Sequence, residues 1–245
     1  LTFCRVIFFF FGFSSFYISL TVLPLGFATA LFFVTPFLIT VFAHFFLKEE
    51  IGLRRWAAVV VGFIGVYITL DPDFNNFNYL SLLPIFCAFC YSLSMIIIKK
   101  TSDKDSVYTQ TFTFYFGAIF FSLIFYFIIG DGQYNTSDHP ASQFIFREWF
   151  TDFESNILFM IVTGVTATIA FLLLFTAYSI ASPAVVSPFE YSILLWSLLI
   201  GWIYFDEIPR LNTVIGILII VSSGIYIFMR EKAQDQLIAT EKPLR

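Results

Sequence analysis

Residues 25–47 read LGFATALFFVTPFLITVFAHFFL, a stretch without Asp, Glu, Lys or Arg that stops at Lys48-Glu49-Glu50. About 20 consecutive apolar residues cross the hydrocarbon of a bilayer as a helix, so this run predicts a membrane span. Reading outward for uncharged runs broken by charge or by Pro, Gly and Asn gives eight candidate spans: 6–23, 25–47, 56–70, 77–98, 108–130, 156–180, 184–205 and 211–229. The run 56–70 is short, a deficit that tilt, local thinning or snorkelling of Arg54 and Arg55 covers. The runs lack the alternation of barrel strands, and lipid leaves backbone groups unsatisfied outside helices and closed barrels. The expected fold class is therefore all-α, a polytopic membrane protein.

Composition supports this reading. Of 245 residues, 59% are hydrophobic, 21% aromatic and 12% charged, and the mean hydropathy is +0.87. A soluble domain carries about 25% charged residues, so too little polar material is present to cover a water-facing surface, which excludes an ordinary soluble enzyme. A net charge of −4 argues against a nucleic-acid partner, which needs Lys and Arg in clustered excess. Cys4, Cys87 and Cys90 form no disulfide framework, and Cys87-Ala-Phe-Cys90 lacks the other ligands of a zinc site; the pair reads as packing. Metalloprotease, nucleophile-elbow and phosphate-loop motifs are missing, and His44 and His139 are the only histidines. Neither cofactor nor metal is expected.

Orientation follows from where Lys and Arg fall between spans. Of 13 such residues, only Arg147 and Arg210 fall on one side, whereas Arg5, Lys48, Arg54, Arg55, Lys99, Lys100, Lys104 and those from Arg230 onward share the other. That predicts a cytoplasmic C-terminus and an outside loop over 131–155, with 144–150 along the interface. Asn135-Thr136-Ser137 in this loop matches a glycosylation acceptor, a pattern that matters only in a secretory pathway.

An internal echo joins the two halves. Pro24-Leu-Gly, Phe46-Leu-Lys-Glu49 and Gly62-Phe-Ile-Gly65-Val-Tyr are answered by Ser182-Pro183-Ala, Tyr204-Phe-Asp-Glu207, Gly216 and Ser223-Gly224-Ile-Tyr. Each unit runs from a Pro turn through a helix and an acidic elbow to a Gly-containing helix, and the charge count puts the elbows on opposite sides. That is the pattern of an inverted repeat.

At these residues, with Pro36, Arg54-Arg-Trp-Ala, Pro188-Phe-Glu-Tyr-Ser, Trp196, Gly201-Trp and Asp206-Glu-Ile-Pro209, the chain resembles the EamA type of the drug/metabolite transporter superfamily, and within it a proteobacterial branch of metabolite importers. The resemblance covers essentially the whole chain through the order and spacing of its motifs. It implies ten helices in two inverted five-helix repeats, of which eight are seen here. Residues 1–73 then hold the last three helices of a first repeat, 74–230 a full second repeat, and 231–245 a cytoplasmic tail. Two further helices are expected upstream, the alternative being an eight-helix variant.

Glu190 is the sharpest candidate for chemistry, because a carboxylate at the centre of a membrane helix costs about 2.5–3.5 kcal/mol. On an α-helix Ser187, Ser197 and Gly201 share its side, with Tyr191 and Leu194 flanking. It reads as a ligand for a cationic solute or a proton-coupling group, or else as a carboxylate that snorkels or bonds a neighbouring Ser or Tyr. In the second span Gly26, Thr29, Phe33, Pro36, Thr40 and Ala43 form one stripe, where Pro36 can free a carbonyl toward a cavity; the alternative is close helix packing. Tyr115 in the fifth span and Tyr91 in the fourth suit a planar solute, or serve as interhelical glue. The expected substrate site is thus Glu190, Tyr191, Ser187, Thr29, Pro36, Thr40, Tyr115 and Tyr91. The function expected is secondary transport of a small organic metabolite across the cytoplasmic (inner) membrane by alternating access, driven by protons or by exchange. Its partners are the metabolite and the lipid bilayer. Rivals are a membrane-embedded lipid-modifying enzyme and a non-transporting scaffold. Gly26/Ala30 and Gly62/Gly65 can pack within one protomer or between two, leaving a homodimer open.

Overall fold

The computed structural model describes residues 2–48, 52–70, 78–151, 153–181 and 186–232, without the side chains of Arg55, Ser187, Pro188, Phe228 and 230–232. The elbow acids Glu49 and Glu50, the turn at 182–185 and the tail beyond Lys232 lie outside the described residues. Helix α1 spans Thr2–Ser19, α2 Leu25–Phe32, α3 Thr35–Phe42 and α4 Leu53–Leu70. Then come α5 (Leu82–Thr101), α6 (Val107–Ile129), the short α7 (Pro140–Phe146), α8 (Phe153–Ile180), α9 (Ser192–Phe205) and α10 (Leu211–Lys232). Among the described residues, five units are long and apolar enough to cross a membrane, namely Thr2–Ser19, Leu25–Leu47, Tyr79–Thr101, Val107–Ile129 and Phe153–Ile180, and three shorter apolar helices accompany them. The protein is an all-α polytopic membrane protein. Its chain runs back and forth between two ends of the bundle, one holding the α5–α6 turn and the other the α9–α10 turn.

Local chemistry sets the boundaries. The first helix occupies 2–19 rather than the expected 6–23, because the hydroxyls of Ser19 and Thr21 bond back to Phe16 and Ile18 carbonyls and Pro24 biases its predecessor away from helix. The shift draws Arg5 into α1, where it is fully buried, instead of leaving it as a flanking charge. The second span is broken between Phe32 and Thr35. Pro36 has no N–H for the Phe32 carbonyl four residues earlier, and the Thr35 hydroxyl donates to that carbonyl instead. The freed group is thus capped locally. Span 25–47 ends in a π turn (Ala43–Leu47) and left-handed Lys48, and α9 ends on left-handed Asp206; non-Gly residues seldom adopt that conformation.

Close helix crossings consume the small residues. A Cβ on Gly12 of α1 would meet the Cβ of Cys90 in α5 at 2.8 Å, and one on Gly65 of α4 would lie 3.0 Å from the Gly216 carbonyl of α10. Gly62 takes the ring of Phe37, and Gly26 the side chain of Leu198. The glycine stripes therefore pack within one protomer, and Cys87 and Cys90 are buried free thiols of the α1–α5 seam. Across the bundle, Glu207 accepts the Leu25 N–H at 2.8 Å, closing the start of α2 where Pro24 offers no side-chain cap.

A methyl group at Gly216 would fall 2.0 Å from Thr69 Oγ1 and 2.7 Å from the Gly65 carbonyl oxygen. Gly216→Ala should accordingly cost about 1–3 kcal/mol by overpacking, seen as a lowered melting temperature in detergent. Gly164→Ala, with open space around its Cβ, should match or exceed the parent protein.

Candidate functional site

Glu190 belongs to a 3₁₀ turn, Ser187–Tyr191, that leads into α9. This departs from the expected α-helix through 184–205, since a 3₁₀ turn rotates each residue further than an α turn does. Ser197 and Gly201 therefore do not join Glu190; they line a cavity toward the other end of α9. Ser187's side chain lies outside the described residues.

Two tyrosines hold the carboxylate. Tyr178 of α8 donates to Glu190 Oε1 at 2.6 Å, and Tyr91 of α5 stands 3.0 Å from both carboxylate oxygens. Both tyrosines are buried. Hydrogen bonds to charged groups contribute about 1.5–3 kcal/mol each, enough for the pair to offset the insertion cost of about 2.5–3.5 kcal/mol. Around them stands an aromatic wall: Phe9, Phe13 and Phe32 meet the Tyr91 ring edge-on at 5.9, 6.3 and 5.4 Å.

Of the expected site residues, the structure brings Glu190 and Tyr91 together, while the side chain of Tyr191, next in the chain, packs toward α10. Tyr191 lies 5.3 Å from the Phe33 ring and its hydroxyl presses on Gly224 of α10, where a Cβ would come within 2.0 Å; that hydroxyl is buried without a partner. Thr29 and Thr40 are buried and donate to their own helices, to the Leu25 and Pro36 carbonyls. Pro36 marks the break described above, and Tyr115 lies beside Phe114 on α6, its hydroxyl also buried and unpartnered. Sequence reading missed Tyr178. It lies two residues before the end of its span, where a tyrosine reads as an interfacial anchor.

Space is distributed unevenly. A cavity of about 490 Å³ opens near the α9–α10 turn between Gly26, Phe27, Ser197, Gly201, Glu207 and Thr213. A second, of about 750 Å³, lies among α1, α6 and α8, with Ser15, Ser122, Phe125, Trp149 and Met160 on its walls. Neither reaches Glu190. Seven residues, about 10 Å of helix, separate Glu190 from Ser197, and buried Phe33, Leu194 and Ile220 fill the interval. The bundle is thus hollow toward the α9–α10 end and packed around the carboxylate.

The sequence profile of the EamA-like transporter family matches residues 1–71 and 79–229. This chain belongs to the EamA-like transporter family. It is similar to an S-adenosylmethionine uptake transporter of Rickettsia conorii, 30% identical over 223 residues that cover 91% of this chain and 69% of that one. A riboflavin transporter of Vibrio cholerae is 30% identical over 213 residues, 87% of this chain and 65% of its own length. A solved crystal structure shares the fold, with a TM-score of 0.60 at 15% identity over 94% of this chain and 78% of that one. An EamA chain with transporter-named relatives points to carriage of a solute rather than to catalysis.

If Tyr178 acts through its hydrogen bond, Tyr178→Phe should cost about 1.5–3 kcal/mol of stability, and in a Glu190→Leu background only a small part of that. The double-mutant cycle reads this coupling directly. An equal cost in both backgrounds would assign Tyr178 to packing alone.

Proposed function

We propose that this EamA-family protein is a secondary transporter of a small organic metabolite, which moves by alternating access past the carboxylate of Glu190. The observation that carries the reading is Glu190 itself, held by Tyr91 and Tyr178 inside the bundle and walled by phenyl rings. A carboxylate of this kind within a membrane bundle is a functional site by default. Ringed by aromatic faces, it suits a solute that combines a cationic centre with a planar group. The relatives named for S-adenosylmethionine uptake and for riboflavin transport are named for flat heteroaromatic solutes, the first of them cationic.

Two further observations favour alternating access. The cavities lie at one end while the other is packed, as in a carrier caught open to a single side. In addition, the elements of the sequence echo correspond: each of two broken or tightened helices ends on a left-handed residue, Lys48 or Asp206, and the helices that follow, α4 and α10, cross at Gly65 and Gly216. That correspondence supports an inverted repeat, with residues 1–73 and 74–230 as its parts, rocking about the α4–α10 seam. By the charge asymmetry, the packed end faces the cytoplasm and the membrane is the inner one. With no ATP-binding motif in the sequence, the drive is a proton gradient or exchange.

Proteoliposomes containing the purified chain should take up radiolabelled S-adenosylmethionine or riboflavin in saturable fashion. Glu190→Gln should lower uptake at least about ten-fold while the protein stays folded, as judged by its melting curve. Uptake unchanged in this variant would remove Glu190 from the path, and chemical conversion of the solute in place of accumulation would favour a membrane-embedded enzyme.

A further inference from the structure

The cavity of about 750 Å³ among α1, α6 and α8 has no part in the reading of Glu190. Its walls run from Phe10 to Ile18 on α1, from Ser122 to Ile129 on α6 and from Phe153 to Met160 on α8, each stretch about 10–12 Å of helix. All three lie toward the end that holds the α9–α10 turn. One leaflet contributes about 15 Å to a hydrocarbon core of about 30 Å, so the cavity spans most of a leaflet's depth. It is a groove in the flank of the bundle, since Phe11, Phe153 and Met160 on its walls are exposed. Its deep wall is apolar: Phe10 and Phe11 close on Phe125 at 5.4 and 6.2 Å, and the Ser15 hydroxyl donates to the Gly12 carbonyl of its own helix. Apolar walls offer water few partners, and walls that nothing fills forfeit their dispersion contacts.

The mouth has a different chemistry. Arg147, Glu148 and Trp149 line it in consecutive positions just past α7. This segment is pinned to the end of α6. The Trp149 N–H donates to the Gly130 carbonyl at 3.0 Å, and Gly132, at a φ of 75°, lets Glu148 approach to 3.2 Å from where a Cβ would stand. Phe150 turns left-handed and sets its ring 5.7 Å from that of Tyr126. The Arg147 guanidinium lies 5.4 Å over the Phe144 ring, and both charged side chains are exposed. A cation and an acid therefore stand side by side at the rim of an apolar groove, with Trp149 at the level where indoles favour the membrane interface.

We propose that this groove holds one phospholipid of the phosphatidylethanolamine type, with an acyl chain between α1, α6 and α8, its phosphate on Arg147 and its primary ammonium on Glu148. Charge complementarity selects the headgroup. Phosphate and ammonium are neighbours in that lipid as Arg147 and Glu148 are in the chain, and a primary ammonium has N–H groups for a carboxylate. A choline headgroup has none, and a glycerol headgroup carries no cation. The acyl chain fills the groove, so this cavity belongs to the bilayer while the one beside Glu207 stays open to solute. None of this depends on how Glu190 is used.

The test adds palmitoyl-oleoyl phosphatidylethanolamine, -choline or -glycerol to the delipidated full chain in detergent and counts bound lipid by native mass spectrometry. The unaltered protein should keep one ethanolamine lipid, bound about five-fold more tightly than either of the others, the upper end for one exposed ion pair. Glu148→Gln should bring the ethanolamine and choline lipids level, and Arg147→Gln should weaken all three; both side chains are exposed, and a melting curve checks the fold. A diazirine on the acyl chain of the ethanolamine lipid should mark residues 10–18, 122–129 and 153–160 in preference to the exposed face of α9. Equal retention of the three lipids by the unaltered protein, or labelling of α9 as strong as that of the groove, would overturn the site. So would a lipid-free dimer, with a second copy covering the groove, or displacement of the lipid by S-adenosylmethionine or riboflavin, which would place the groove on the solute path.

Discussion

A carboxylate inside a bundle surrounded by lipid has to find hydrogen-bond donors within the protein, and for Glu190 those donors come from two other helices. Tyr91 stands on α5 and Tyr178 on α8, so one side chain at the start of α9 ties together elements 99 and 12 residues away in the chain. The aromatic packing of this half is organised around those two tyrosines. Phe9, Phe13 and Phe32 close on Tyr91, and Phe171, Phe175 and Phe114 continue the cluster toward Arg5. A bundle of this kind gains little from sequestering apolar surface, because lipid is as apolar as leucine. Polar contacts and close crossings therefore carry the specificity of its fold.

The close crossings come from missing side chains. Gly12 against Cys90 and Gly65 against Gly216 bring backbones near enough for dispersion to act over long seams. At the seam between α4 and α10 the Thr69 hydroxyl turns back to the Gly65 carbonyl, and that of Ser223 to the Ile220 carbonyl. The contact that closes the opposite end is ionic in character: Glu207 receives the Leu25 N–H at the start of α2, where the helix dipole favours a negative group. The same acid borders the cavity of about 490 Å³ at that end. One end is thus held by a single carboxylate beside a cavity, and the other by a network of tyrosines, an arginine and rings that neither of the two cavities reaches. An asymmetry of that sort is what a carrier needs if its two halves alternate in opening.

How much of this was legible beforehand varies with the physics of each feature. Glu190 stood out because a lone carboxylate in an apolar run is costly wherever the helix turns. Tyr91 entered through its stripe, whereas Tyr178 and Arg5 were passed over. A tyrosine near the end of a span looks like an interfacial anchor, and an arginine at the edge of a run looks like a flanking charge. Only a helix beginning four residues earlier, with Gln110 brought to face it from α6, makes Arg5 a buried group. Thr29 and Thr40 show the reverse: their spacing suits a cavity wall, yet each hydroxyl satisfies its own helix. Local bonding of this type is always within reach of a helical Thr, so spacing alone does not say which partner it takes.

By itself the sequence determined the class and the passes. Runs without charge, too long for a soluble core, can only be helices in lipid, and the order of prolines, glycines and acidic elbows carried the family likeness through the whole chain. The tertiary structure decided what those elements do to one another: that the glycines serve crossings inside one protomer, that Pro36's orphaned carbonyl is taken by Thr35, and that Glu190 enters on a 3₁₀ turn facing two tyrosines. Hydropathy is additive along the chain and survives any rotation of a helix about its axis. Partnership depends on that rotation, which is fixed only when neighbouring helices lock their side chains together.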